Sequence, residues 1–238
     1  MNKVGLLLDF YGTLVEDDRK MVELFIYEWI HYYGAIGDKE EIHEFWTRLY
    51  IELRLKYQGD DYKTRNRIQN MVLERLFKRF KINASYDEYA ARLYEQRTNA
   101  NLYPDTNDFL KFLKEENIPH IILTDGDDVE VNSVLKLRNI EIEDVITSQQ
   151  VRYYKPSIKI YSQAVKLMEE KYGINKENII NIGDSHWSDV IGAKNYGINC
   201  IWINRLERNL PIPENFYNVK NLSQAKRIIK GLLKNGDK

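Results

Sequence analysis

Between Asn107 and Asn204 two kinds of apolar segment alternate without a break, and this alternation constrains the fold more than any other feature of the chain. Helical spacing in "NDFLKFLKEEN", "VEVNSVLKLRN", "SIKIYSQAVKLMEEKYG" and "SDVIGAKNYG" is interleaved with the short aliphatic runs "HIILTD", "DVITS", "NIINIGD" and "NCIWIN". Short runs rich in Ile and Val, separated by helices, are the pattern of a parallel sheet covered on both faces. One more run of this kind, Val4 to Leu8, stands at the start of the chain and ends at Asp9. It reads as a central parallel strand.

Between that strand and the alternating region the pattern changes. "KMVELFIYEWIHYYG", "EIHEFWTRLYIELRLKY" and "IQNMVLERLFKRF" place apolar residues every three or four positions, and no strand pattern interrupts them. The chain is therefore expected to be an α/β protein: residues 1–15 and 101–238 build a doubly wound parallel-sheet core, and residues 16–100 form an all-helical insertion. A last helix in "NLSQAKRIIKGLL" is expected to be capped by Ser223.

The chain of 238 residues is long enough for such a core and its insertion. Its 35 Lys and Arg against 36 Asp and Glu leave a net charge of -1, which argues against nucleic acid or an anionic membrane as partner. The stretch "RLKYQGDDYKTRNRIQNMVLERLFKRFK" is locally basic; it reads as a solvated cationic helix face, or as a surface that attracts a small anionic substrate. One Cys provides no disulfide framework, and the N-terminus runs into "VGLLLDF" without a basic leader or cleavage site. The expected location is the cytoplasm, as a monomer or homodimer.

Three polar clusters fall at the C-terminal ends of expected strands: Asp9, Thr124-Asp125-Gly126 and Gly183-Asp184-Ser185. In an open parallel sheet that edge is where ligands bind. Each cluster has a local explanation as a turn or helix cap. Together with Lys155 they fit one chemistry better, a carboxylate nucleophile acting on an anionic substrate. Asp9 would attack and form an acyl intermediate that water hydrolyses. Thr124, backbone N–H groups after Asp9 and a helix N-terminus would hold anionic oxygens, while Lys155 neutralises charge. Asp184 and Asp189 bring further negative charge to the same edge, which calls for a cation, and Mg2+ suits oxygen ligands.

"DFYGTLV", "ILTDG", "YKPSIKIY" and "NIGDSHWSDVIGAKNYGI" resemble, in order, the four motifs of the haloacid dehalogenase (HAD) superfamily of hydrolases. The resemblance implies a Rossmann-like core with residues 16–100 as a helical cap. It makes Asp9 the nucleophile, Thr124 the phosphate-binding hydroxyl, Lys155 the stabilising lysine and Asp184 a metal ligand assisted by Asp189. The backbone carbonyl of Tyr11 would join Asp9, Asp184 and Asp189 around Mg2+. Thr13 falls with the catalytic positions, and Tyr11, Gly12, Asp125 and Gly126 with those that line the substrate.

The motifs disagree at one place. Phosphatases of the superfamily usually carry a second aspartate two residues after the nucleophile, as general acid and base; here Tyr11 stands there, as in the L-2-haloacid dehalogenases. A halide leaves without a proton, whereas an alkoxide benefits from an acid by ~10²- to 10⁴-fold. The fourth motif points the other way, because the dehalogenases replace its metal-binding acid and this chain keeps both Asp184 and Asp189. Thr124-Asp125-Gly126 also replaces the dehalogenase Ser-Asn-Gly. Their substrate-binding arginine follows a tryptophan; here Trp46 is followed by Thr47, with Arg48 one place too far. Tyr161 matches a dehalogenase tyrosine or simply packs. The favoured expectation is a Mg2+-dependent phosphatase of a small phosphorylated metabolite. The alternatives are an L-2-haloacid dehalogenase using the same aspartate, or a catalytically weak sensor of a phosphorylated ligand. Trp29, Trp46, His120, His186 and Cys200 read as structural.

Overall fold

The computed structural model describes residues 4–235. Six strands, β1 (Gly5–Leu8), β2 (His120–Thr124), β3 (Val145–Thr147), β4 (Ile179–Gly183), β5 (Asn199–Ile203) and β6 (Tyr217–Val219), form one parallel sheet in the order β3-β2-β1-β4-β5-β6. The order reverses at β1, where Leu8 pairs with Ile122 of β2 and Ile182 of β4. Asp9, Thr124 and Gly183 therefore leave the sheet at neighbouring points on one edge, and that edge is the switch point of the fold.

The aliphatic strands are buried on both faces because helices cover both. Leu6 and Leu8 pack with Phe109, Val131 and Ile229 on one side, from α5 (Thr106–Glu115), α6 (Asp128–Leu137) and α10 (Leu222–Asn235). Leu7 packs on the other side with Ile160, Met168 and Ala193, from α8 (Ile158–Tyr172) and α9 (Gly192–Tyr196). A single turn, α7 (Ser148–Val151), follows β3.

Helices α1 (Arg19–Tyr32), α2 (Lys39–Lys56), α3 (Arg65–Phe80) and α4 (Tyr86–Thr98) stand between β1 and α5 and have a hydrophobic cluster of their own. Trp29 stacks on Trp46 at 5.6 Å within it, so both tryptophans are packing residues. The two connections to the sheet domain run side by side: Glu16 N–H donates to Asn101 O at 2.8 Å and Val15 bridges Leu102.

Three features depart from the sequence reading. The insertion has a fourth helix, α4, which hid because its buried apolar residues are only Tyr89, Ala90 and Leu93 among many charges. Strand β6 is a three-residue edge with two exposed positions, too short to produce a pattern. The cap of α10 is Asn221, whose side chain accepts the Gln224 N–H at 3.0 Å; Ser223 lies inside the first turn. No helix among the described residues is long and apolar enough to cross a membrane.

Candidate active site

Asp9 follows β1 directly and its N–H still pairs with Ile182 O at 2.8 Å, so the sheet fixes its position. The chain then turns through Gly12, at φ +90°, a conformation that side-chain-bearing residues rarely adopt. A Cβ at Gly12 would also collide with the Asp184 carboxylate, so the Tyr11-Gly12 turn lies directly against Asp184. The Gly12 N–H is used in the turn itself, donating to Val15 O at 2.7 Å.

Lys155 Nζ donates to Asp9 Oδ1 and to Asp189 Oδ1, both at 2.7 Å. Thr13 Oγ1 donates to Asp9 Oδ2 at 3.0 Å, and the Ser185 N–H donates to Asp189 Oδ2 at 3.0 Å. Burial lifts the Asp9 carboxyl; Lys155 lowers it and Asp189 raises it again, leaving it at about 7. Burial pulls Lys155 toward neutrality, but Asp189 and Asp9 outweigh that and hold it protonated. Asp184 is pushed well above the usual carboxylate range by burial and by the charge of Asp9. Thr124, buried at the end of β2, accepts the Gly126 N–H at 3.1 Å on Oγ1, so its own proton remains free to donate.

Asp9, Asp184 and Asp189 each offer a carboxylate oxygen, and these lie within 4.8 Å of one another. Three hard anionic donors at one point fit a cation such as Mg2+ in donor chemistry and in charge. A family model described as haloacid dehalogenase-like hydrolase matches residues 5–197. The chain belongs to that family. The (S)-2-haloacid dehalogenase of Pseudomonas fluorescens is 31% identical over 121 residues, 50% of this chain and 51% of that protein. The glyceraldehyde 3-phosphate phosphatase of Pyrococcus furiosus is 31% identical over 103 residues, 42% and 40% of the two chains. The chain thus spans about half the length, or less, of these curated relatives. An L-2-haloacid dehalogenase from Xanthobacter autotrophicus shares the fold, with a TM-score of 0.71 at 18% identity over 96% of this chain and 99% of that one.

Within this HAD hydrolase, other residues of the motifs face structural partners. Tyr11 Oη donates to Arg97 O at 2.9 Å, its ring lies against Gly126 and under the Arg65 guanidinium, and burial together with Glu130 raises its pKa. Asp125 is a junction: Oδ1 accepts the Lys155 N–H at 2.8 Å, and Oδ2 pairs with Arg54 and takes a 3.5 Å bond from Ser188 Oγ. Tyr161 packs inside the sheet domain and donates to Ser188 O at 2.7 Å, supporting the fourth-motif turn from beneath. His186 contacts Pro211 O and the Trp202 ring, His120 contacts Ile118 O, and Cys200 is a buried strand thiol.

The arginines were not legible in the motifs. Arg54, from α2, also donates to Lys155 O at 3.0 Å and lies over the Tyr154 ring, whereas Arg48 stays outside with Glu52. Arg19, the first residue of α1, pairs with Asp184 Oδ2 at 3.0 Å and with Asp17. Arg208 Nη2 donates to Asp184 O at 2.7 Å. Arg65 and Arg97 meet Asp18 and Glu130 beneath α3 and α4. Part of the basic stretch expected to be solvated is therefore internal, because Arg54 and Arg65 face carboxylates of the sheet domain and of the link before α1. Nothing in the sequence marks Arg19, Arg54, Arg65 and Arg97 except an unusual wealth of arginine in the insertion.

Proposed function

We propose that this HAD hydrolase is a Mg2+-dependent phosphatase of a small phosphorylated metabolite, acting through an aspartyl-phosphate intermediate. The observation that carries this reading is the convergence of Asp9, Asp184 and Asp189, with ligand oxygens within 4.8 Å. Three buried carboxylates beside a phosphate are strongly unfavourable unless a cation compensates them, and Lys155 compensates only part of that charge. Asp9, Asp184, Asp189 and the Tyr11 carbonyl would hold Mg2+, which when bound supplies Lewis-acid polarisation of the phosphoryl group and charge neutralisation.

Asp9 attacks phosphorus as the bond to the leaving oxygen breaks, and the departing oxyanion takes its proton from solvent; water then attacks phosphorus, loses a proton to solvent, and the P–O bond to Asp9 breaks, releasing inorganic phosphate and restoring the carboxylate. Thr13 and Lys155 hold the two Asp9 oxygens in a fixed orientation, and Lys155 works against the burial that raises the Asp9 carboxyl. Thr124 donates its free proton to a phosphoryl oxygen. Asp125 positions Lys155 through its backbone N–H and ties it to Arg54 of the insertion. The insertion serves as a cap that excludes water and selects the substrate, with Arg54 and Arg19 supplying positive charge toward an anionic ligand.

A second reading, L-2-haloacid dehalogenation, is favoured by Tyr11. Its hydroxyl is committed to the Arg97 carbonyl rather than offered to a leaving group, and a departing halide needs no acid. The relatives named as dehalogenases point the same way. Para-nitrophenyl phosphate hydrolysis with Mg2+ and with EDTA, alongside chloride release from L-2-chloropropionate, separates the two. Phosphate release that needs Mg2+ and vanishes in Asp9→Asn supports the phosphatase. Chloride release indifferent to EDTA overturns it, and silence in both assays with saturable phosphate binding indicates a sensor.

A further inference from the structure

Asp9, Asp189, Asp184 and Asp17 are partnered by two very different cations. Lys155 serves Asp9 and Asp189 from a fully enclosed position, with 1% of its side chain exposed. Arg19 serves Asp184 and Asp17, and 35% of its side chain is exposed. Lys155 can leave its partners only into protein interior. Arg19 can swing toward solvent while keeping Asp17, whose Oδ1 also accepts the Arg19 backbone N–H at 3.2 Å. Of the two contacts, the one on Asp184 is therefore the cheaper to give up.

We infer that Arg19 and a divalent cation are alternative partners of Asp184, so that Arg19 is a built-in competitor which the metal displaces; this rests on the Mg2+ reading of the site. A cation bound to either oxygen of that carboxylate faces the guanidinium across the same group, and like charges at that separation repel. Asp184 is hemmed in on its other side, where its carboxylate lies against the Gly12 turn, and its backbone carbonyl accepts from Trp202 Nε1 at 2.8 Å. Relief comes from Arg19. Arg208 makes a useful contrast: it is a neighbouring guanidinium that holds only the Asp184 main chain, so it adds positive charge without occupying a carboxylate oxygen. Because Arg19 opens α1, the exchange would link metal loading to the first turn of the insertion.

The test is Mn2+ binding to the full chain, read from the free-ion electron paramagnetic resonance signal, for the unmodified protein, Arg19→Gln and Arg208→Gln. Arg19→Gln is expected to bind Mn2+ about fivefold or more tightly than the unmodified protein, the size expected for a partly screened ion pair. Arg208→Gln is expected to stay within about twofold. Equal affinity of Arg19→Gln and the unmodified protein overturns the competition and leaves the metal site standing. Equal gains in both variants also overturn it, since they mean a general field rather than an exchange. No Mn2+ binding by any of the three removes the metal reading and the inference with it. The unmodified protein supplies an independent measurement: the resonance of the Arg19 Nη2 protons, which donate to Asp184 Oδ2, is expected to shift and lose exchange protection on Mg2+ titration, and an unchanged resonance at saturating Mg2+ overturns the exchange.

Discussion

The hydroxyl of Tyr11 donates to the carbonyl oxygen of Arg97 at 2.9 Å, joining the turn after β1 to the last turn of α4 across 86 residues of sequence. The residue that stands where a general acid is usual in phosphatases of this superfamily is thus a tie between the sheet domain and the insertion. Its ring completes the tie under Arg65 and against Gly126. That single contact shapes the first two predictions.

Tyr11→Phe removes the tie and keeps the ring. Losing one buried hydrogen bond is expected to cost about 1 kcal/mol of stability in urea unfolding. Turnover of para-nitrophenyl phosphate is expected to stay within about threefold. A loss of about 100-fold with the fold intact would mean that the hydroxyl moves a proton in the reaction.

Without an acid at that position, the leaving group must depart on its own. Aryl phosphates, whose phenolate needs little protonation, are expected to exceed alkyl phosphates in kcat/KM by about 10²-fold, the general contribution of such an acid. Comparable values for the two classes would mean that another residue or a water supplies the proton.

Arg97 and Glu130 form an ion pair at 2.9 Å with both side chains fully buried, between α4 and α6. Glu130→Gln leaves the guanidinium without its main counter-charge, and the expected loss is about 3 kcal/mol or more. Replacing both residues, as Arg97→Met with Glu130→Leu, should cost less than the single change. Denaturant midpoints of the three proteins decide this, and a single variant as stable as the parent would show that the pair does not hold the insertion in place.

Stability should also respond to pH through Asp9. Its carboxyl is pushed up to about 7 in the folded protein from the ordinary aspartate value of 3.8, so between these values the folded state holds a proton that the unfolded state has lost. Stability contributed by that proton is fully present below about pH 4 and is lost as pH rises to about 7. In EDTA the melting temperature should therefore fall across that window more steeply than in Asp9→Asn. Identical profiles for the two proteins would contradict the raised carboxyl.

Much of this architecture is written in local sequence. The aliphatic runs ending at Asp9, Thr124 and Gly183 specify buried parallel strands by composition alone, and the helices between them specify the parallel connection. Motif spacing then places Asp9, Lys155, Asp184 and Asp189 at one sheet edge, because a residue that follows a strand can go only where the strand delivers it. Short or weakly apolar elements such as β6 and α4 were not legible, since their burial depends on neighbours rather than on their own periodicity.

What the sequence determined by itself was the sheet, its switch point and the identity of the carboxylates gathered there. What only the tertiary structure decided was the partner of each polar group: Tyr11 with Arg97, Asp125 with Arg54, Asp184 with Arg19. Those pairings join residues 71 to 165 positions apart. No local propensity encodes them; they arise when the insertion packs over the sheet edge and buried charges must find counter-charges within hydrogen-bond reach.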